Sequence, residues 1–136
     1  IINLGGNVLC VGSKKDNSSF NIAVRKPFSE NESLETLKIT DKSVVSSGNY
    51  ERYFFEGDVL YHHILNPETG YPVDNGLSDV TIVSDDSLTG DCLSTTCFAL
   101  GLIEGLKLIE NTPGIEAMFV EMNGNITCSS GFSQYR

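Results

Sequence analysis

The chain has 136 residues, of which 40% are hydrophobic, and its formal net charge is −9. This length fits one domain that can bury an adequate core. The acidity opposes binding to nucleic-acid backbones and anionic membrane surfaces, so proteins, metals and small molecules are the expected partners. No apolar run approaches the roughly 20 residues that a membrane-spanning helix needs, and the first residues do not resemble a signal peptide.

The four cysteines are not expected to form a framework. They are spaced without a Cys-x-x-Cys pair and lack the density of a disulfide scaffold: Cys10, Cys92, Cys97 and Cys128. Because an unpaired cysteine behaves as a small hydrophobe, the sequence predicts buried free thiols and makes zinc binding improbable.

The chain begins with short predicted strands. Residues 1–11 form an apolar run that Gly5-Gly6-Asn7 interrupts. This pattern indicates a strand with a bulge or bend, and the alternative is a simple turn between two short strands. Residues 20–24 alternate, which predicts the return strand of a hairpin across the polar turn at residues 14–19.

Further strands are predicted in the middle of the chain. Residues 34–39 and 43–46 read as two short strands. Gly57-Asp58 indicates a tight hairpin turn. The segment before that turn alternates aromatic and polar residues, so its rings are predicted to lie in the core: Tyr53, Phe54 and Phe55.

The C-terminal part predicts helices between strands. Residues 80–83 are β-branched and predict a strand, after which Asp85-Asp86-Ser87 supplies helix-capping side chains. Helical patterns then cover residues 87–100 and 102–110, with Gly101 as the stop between them.

The last segment completes the predicted fold. Asn123-Gly124 is a hairpin turn between strands at residues 115–122 and 126–128. The predicted class is therefore α+β, a largely antiparallel sheet of hairpins with two helices packed on one face.

Residues 61–72 carry both histidines of the chain in a loop-forming segment. Two prolines, a glycine and an Asn-Pro step exclude a helix or a central strand, so a structured turn at the end of a short strand is expected. A rigid loop that holds a titratable ring is suited to chemistry. The alternative is that one histidine caps the strand and the other faces water.

Residues 63–72, His-Ile-Leu-Asn-Pro-Glu-Thr-Gly-Tyr-Pro, resemble the His-Ile-(Leu)-Asp-Pro-x-Thr-Gly signature of the ApbE family, the FAD:protein FMN transferases. Three other segments match that family in the right order: Asn-Leu-Gly-Gly-Asn-Val at 3–8, Ser-Ser-Gly-Asn-Tyr-Glu-Arg at 46–52, and Gly-Asp-Cys-Leu-Ser-Thr at 90–95. Asn49 and Asn66 stand where the family usually has Asp.

The resemblance implies a set of site residues. His63, rather than His62, aligns with the family's catalytic histidine. The flavin-binding residues would be Gly5, Gly6, Ser47, Gly48, Tyr50, His63 and Thr69, and Mg²⁺ would bind Asp91 and Thr95. These last two lie four apart, on one face of a helix, and carry the hard oxygen atoms that suit Mg²⁺. Read alone, such an Asp more often complements the helix dipole and such a Thr bonds its own backbone.

The implied function is Mg²⁺-assisted transfer of FMN from FAD to a Thr or Ser hydroxyl of an acceptor protein. The alternative is a non-catalytic module that binds flavin or recognises the acceptor, and a purely structural domain is a third reading. The chain opens at Ile1, inside a predicted strand, so we expect one domain that is the C-terminal part of a longer transferase. Export and membrane anchoring of that parent, and dimerisation through bare sheet edges, are further expectations.

Overall fold

A computed structural model describes all residues, 1–136. The elements in chain order are β1 (Ile2–Asn3), β2 (Asn7–Leu9), β3 (Phe20–Arg25), β4 (Ser33–Ile39), β5 (Ser43–Gly48), β6 (Tyr53–Glu56), β7 (Val59–His62), β8 (Leu77–Ser84), α1 (Ser87–Glu110), β9 (Glu116–Glu121), β10 (Ile126–Cys128) and a terminal 3₁₀ turn (Phe132–Tyr135). The class is α+β, as predicted.

A six-stranded antiparallel sheet in the order β1-β2-β5-β8-β9-β10 forms the middle layer. All eight residues of β8 are buried because both faces of the sheet are covered. Its side chains alternate between the two faces: Val80 and Ile82 join the core beneath α1, whereas Val83 joins the core on the opposite face.

The helix covers one face of the sheet, as predicted. Two glycines let it approach closely, since a Cβ at Gly90 would lie 2.8 Å from Val45 Cγ2, and one at Gly105 would lie 2.9 Å from Phe119 Cε1. Asp86 is the N-cap, with its carboxylate accepting from Thr89 N at 2.8 Å, which confirms the predicted capping site.

The two predicted helices form a single element, α1, whose helical backbone is interrupted at one residue. Their description as two separate helices is not confirmed. Gly101 adopts φ 81° and ψ 176°, a backbone conformation essentially restricted to glycine. The break frees the carbonyl of Phe98, which accepts a hydrogen bond from Asn75 Nδ2 at 2.6 Å. A side chain from the preceding loop therefore stabilises the kink.

The opposite face is covered by a second, two-stranded sheet. β3 pairs with β4, so the prediction that residues 20–24 return against the first strand was wrong. Alternation identified the strand, but it carries no information about its partner. Ile22, Leu37 and Ile39 from this ribbon pack against Val44 and Val83 of the large sheet.

The β6–β7 hairpin stands apart from both cores. Its Gly57-Asp58 turn agrees with the prediction. The predicted burial of its aromatic residues was wrong, because Tyr53, Phe54 and Phe55 are 43%, 61% and 60% exposed. No other layer covers this two-stranded sheet, and its rings pack on one another, as in the stack of Phe54 on Tyr61 at 5.2 Å.

Two compositional expectations are refined by the structure. All four cysteines are free, but only Cys10 and Cys97 are buried; Cys92 is exposed on α1 and Cys128 is half-buried, so the prediction of uniformly buried thiols was wrong.

By length and composition alone α1 could span a membrane, with a mean hydropathy of 1.5 over 18 residues. A mostly buried core helix of a soluble protein can meet the same criterion; 33% of this window is buried, and Cys97, Phe98 and Ile109 of α1 pack against the sheet.

Candidate functional site

The two histidines occupy different environments. His62 is 7% exposed, its Nε2 lies 3.0 Å from the Val73 carbonyl, and its Nδ1 accepts from Ile64 N at 3.3 Å. This pair of contacts fits a neutral ring that donates from Nε2, and burial lowers the pKa of His62. The adjacent His63 ring is exposed, while its backbone N–H bonds the Arg52 carbonyl at 3.2 Å. His62 therefore holds the loop, and His63 is the ring that faces solvent.

The loop after His63 is held by its own hydrogen bonds. Asn66 Oδ1 accepts from Glu68 N at 2.8 Å, so the neutral side chain orients the turn although the family usually has Asp there. The Asn66 backbone bonds Tyr71 and Gly70, both at 2.8 Å. Thr69 Oγ1 accepts from Tyr71 N at 3.3 Å and makes no contact with the other predicted site residues.

The Gly5–Gly6 segment is a turn between β1 and β2, which is the alternative given above and not the predicted bulge. Gly5 and Gly6 have φ of 76° and 89°, and nothing lies within 4 Å of a Cβ built at Gly5. The Gly6 carbonyl accepts from Ser46 N at 2.9 Å, whereas its N–H has no protein partner. The turn thus leaves an open backbone beside the end of β5, suited to close approach by a ligand.

Ser47 joins the end of β5 to the helix. Its Oγ lies 2.8 Å from Ser94 Oγ and 3.0 Å from Thr95 Oγ1. Asp91, one turn earlier, has an exposed side chain, and its carbonyl accepts from Ser94 Oγ at 3.0 Å. One carboxylate and neighbouring hydroxyls are oxygen donors of the type that Mg²⁺ accepts. The chain contains no group of three or more His, Cys, Asp or Glu side chains able to hold a metal, so this donor set is chemically suitable but incomplete.

Tyr50 lies on the other face of the sheet from Ser47. Its ring covers Gly48 so closely that a Cβ there would come within 2.3 Å of Tyr50 Cε1 and 2.8 Å of the Ser78 carbonyl. The Arg25 guanidinium lies 5.1 Å from the ring centroid. Gly48 is therefore required for the position of the Tyr50 ring.

Asp79 is a buried acid that the sequence analysis did not identify. Its side chain is fully buried, and it accepts from Tyr50 OH at 3.0 Å and from Thr81 Oγ1 at 2.8 Å. Burial raises the pKa of Asp79 to about 7. The signal that could have found it is a charged residue inside the strand Leu77–Ser84, which is otherwise apolar or hydroxylated.

Two cavities flank these residues. The first cavity has a volume of about 530 Å³. It is lined by the predicted site residues Gly5, Gly6 and Tyr50 and also by Arg25 and Arg52. Arg52 makes no ion pair, so it leaves a free positive charge at this cavity.

The second cavity, of about 400 Å³, lies between β7 and residues 71–77 and is lined by His62 and Asn49. Asn49 Nδ2 donates to the Leu77 carbonyl at 3.1 Å, while its buried Oδ1 has no partner.

The structure brings together some of the predicted site residues and not others. Direct contacts join Gly6, the end of β5 and Thr95, whereas no contact links His63 or Thr69 to Asp91 or Thr95.

Comparison with known proteins shows the family to which the chain belongs. The model of the ApbE family matches residues 1–119. Proteins named FAD:protein FMN transferase from Klebsiella pneumoniae and Treponema pallidum are 44% and 32% identical to this chain, each over 96% of it. The chain spans about 40% of the length of these relatives.

Solved structures give the same result. The ApbE protein of Thermotoga maritima is 34% identical over 96% of this chain and 42% of its own, with a TM-score of 0.86. The apo form of the Pseudomonas stutzeri flavinyl transferase ApbE is 31% identical over 96% and 41%, with a TM-score of 0.76. The chain belongs to the ApbE family. The non-catalytic alternative finds no support among these relatives.

Proposed function

We propose that this chain carries part of the active site of an FAD:protein FMN transferase, which moves FMN from FAD to a Thr or Ser hydroxyl of an acceptor protein. The observation that supports this most is the row of contacts from the open Gly6 backbone through the end of β5 to Thr95. The end of β5 thus contacts the open Gly6 backbone through Ser46 N and the Thr95 hydroxyl through Ser47 Oγ, and Asp91 lies one helical turn before Thr95.

The reaction is a substitution at phosphorus. The acceptor hydroxyl oxygen attacks the FMN-side phosphorus of the FAD pyrophosphate, a phosphoester bond forms, and the bond to the bridging oxygen breaks. AMP leaves with that oxygen, and the hydroxyl proton passes to a base. The protein must therefore position the pyrophosphate, balance its charge and accept a proton.

His63 is the proposed base. Its ring is exposed while its backbone is fixed to Arg52 at 3.2 Å, so it can meet an incoming hydroxyl without unfolding the loop. An imidazole nitrogen with a free lone pair can take up the proton of the acceptor hydroxyl. His62 is unsuited to this role because both of its ring nitrogens already contact the backbone.

The pyrophosphate would be bound on the glycine side. The N–H of Gly6 has no protein partner, and Arg52 supplies an unpaired positive charge at the same cavity. Backbone N–H groups and guanidinium groups are the usual donors to phosphate oxygens. Tyr50 would form the wall on which the flavin nucleotide packs, and Gly48 would leave the space that the Tyr50 ring occupies.

Asp91 and Thr95 are the proposed Mg²⁺ ligands, with Ser47 bonded to Thr95 as the side chain that orients it. When bound, the cation would neutralise charge that develops on the phosphate oxygens. The exposed carboxylate of Asp91 supplies the negative charge that retains a cation at this position.

The proposal is tested by covalent flavin transfer. The chain is mixed with FAD, Mg²⁺ and an acceptor domain that carries a flavinylation motif, both alone and joined to the N-terminal part of the Klebsiella pneumoniae relative. A fluorescent acceptor band on a denaturing gel is expected. Asp91→Ala should abolish the band, and Glu30→Gln, an exposed carboxylate between β3 and β4 that lines neither cavity, should leave it unchanged.

A band of equal strength with Asp91→Ala would remove the metal assignment. No band in either form of the wild-type protein would contradict the transferase assignment. Export and anchoring of the parent remain a prediction from the resemblance, to be checked by fractionating cells that express it.

A further inference from the structure

Asp79 is the only acidic side chain within the middle strand of the sheet, and it is completely enclosed. A buried carboxyl group is costly unless its oxygens have hydrogen-bond partners. Both oxygens are satisfied here, one by the Tyr50 hydroxyl and one by the Thr81 hydroxyl. The acid therefore connects two side chains that belong to different parts of the site.

The first connection reaches the cavity wall. Tyr50 is 9% exposed, and its ring lies over Gly48 and beneath the Arg25 guanidinium. The edge of the Phe28 ring also packs on it, with the ring centroids 6.0 Å apart, and the bond from the Tyr50 hydroxyl to Asp79 Oδ1 is the hydrogen bond that fixes the ring along its axis. Loss of that bond would leave a buried hydroxyl without a partner.

The second connection reaches the glycine turn. Thr81 Oγ1 lies 2.8 Å from Ser46 Oγ, and Ser46 N is bonded to the Gly6 carbonyl at 2.9 Å. Asp79 is thus linked through Thr81 to the side chain of Ser46, and the backbone of the same Ser46 is bonded to the open turn at Gly6.

We propose that Asp79 is a positioning residue for the flavin side of the site, which fixes the Tyr50 ring through one oxygen and the Ser46–Gly6 backbone through the other. This inference rests on the proposed transferase function. Asp79 touches no substrate, so it acts only through the residues that it holds.

Protonation of Asp79 changes this network. The ionised carboxylate accepts a hydrogen bond from both hydroxyls. The protonated carboxyl group must donate one hydrogen bond, so either Tyr50 or Thr81 has to accept a hydrogen bond instead of donating it. Because burial brings the pKa of Asp79 to about 7, both forms are populated near neutral pH. The ionisable and charged groups that face it are Tyr50, Glu51 and Arg25, of which the last two pair with each other.

The test follows Tyr50 and Ser46 by NMR in this chain across about pH 5 to 9. The chemical shifts of the Tyr50 ring and of the Ser46 amide should change together with pH, with one midpoint near the pKa of Asp79. Asp79→Asn should abolish that transition, whereas Glu51→Gln and Ser84→Ala should retain it. Ser84 is a matched buried control, since its hydroxyl lies in the same strand but bonds Asp86. Resonances that stay constant in the wild type, or a transition that survives Asp79→Asn, would overturn the proposal.

The functional arm measures FMN transfer as a function of FAD concentration in the protein joined to the relative's N-terminal part. Asp79→Ala should raise KM for FAD on the order of tenfold, the effect of one lost hydrogen bond, with a smaller change in kcat. Combining it with Tyr50→Phe should add little, because both changes remove the same bond. Fully additive effects would refute the coupling. If no protein transfers FMN, the transferase assignment fails while the NMR transition still decides whether Asp79 positions Tyr50.

Discussion

The burial of Asp79 predicts a specific pH dependence of stability. The pKa of the carboxyl rises from 3.8 to about 7 on folding. The folded state therefore holds this proton more tightly than the unfolded state, so the contribution of Asp79 to stability is fully present below about pH 4 and is lost as the pH rises toward 7. A difference of about three pKa units corresponds to about 4 kcal/mol, since each unit is worth about 1.4 kcal/mol.

The assay is urea unfolding of wild type and Asp79→Asn at closely spaced pH values. The difference between the two free energies of unfolding isolates this carboxyl, because other titrating groups occur in both proteins. That difference should shift by about 4 kcal/mol in favour of the variant between about pH 4 and 8. Asp58→Asn serves as the exposed control and should run parallel to wild type. If the difference in free energy of unfolding between wild type and Asp79→Asn stays constant across this pH range, the reasoning is refuted.

Three further substitutions test particular contacts. Gly101→Ala should lower the free energy of unfolding by about 1–3 kcal/mol, measured in urea, because alanine is strained at the φ of 81° found there; an unchanged value would contradict the kink. His62→Ala should cost about 1–3 kcal/mol through its two lost backbone contacts. His63→Ala, on an exposed ring, should leave stability within about 0.5 kcal/mol of wild type but abolish transfer. Equal stability losses at the two histidines would contradict their assigned roles.

Local chemistry in the sequence predicted the turn after His63 and the start of the helix. The Asn-Pro step and the Thr-Gly pair indicated a structured loop, and Asn66 does close its turn on Glu68 N. Asp86 was identifiable as a cap because a helix start needs an acceptor for its first N–H groups. Such features depend on neighbours within a few residues, which the sequence shows directly.

Strand pairing and burial depended on long-range contacts and were less predictable. β3 pairs with β4 in a separate sheet, although its alternation would serve equally well in the large one. Phe54 and Phe55 have the composition of a core strand, yet no layer covers them. Nothing local distinguishes these arrangements, because the same side chains suit both.

Asp79 shows why the burial of a polar side chain is difficult to predict from the sequence. A lone carboxylate in a strand is usually assigned to the solvent side. Its burial is possible because Tyr50 and Thr81 supply donors from positions 29 and 2 residues away. The proximity of Ser47 to Thr95 likewise arises from packing of α1 on β5 and not from spacing in the chain.

The most direct test of the account is the mass of the acceptor after reaction with FAD and Mg²⁺. The account predicts an increase equal to FMN less one water at a single Thr or Ser, release of an equal amount of AMP, and loss of both with His63→Ala or Asp91→Ala. An acceptor of unchanged mass, with FAD recovered intact from the wild-type protein joined to the relative's N-terminal part, would contradict it.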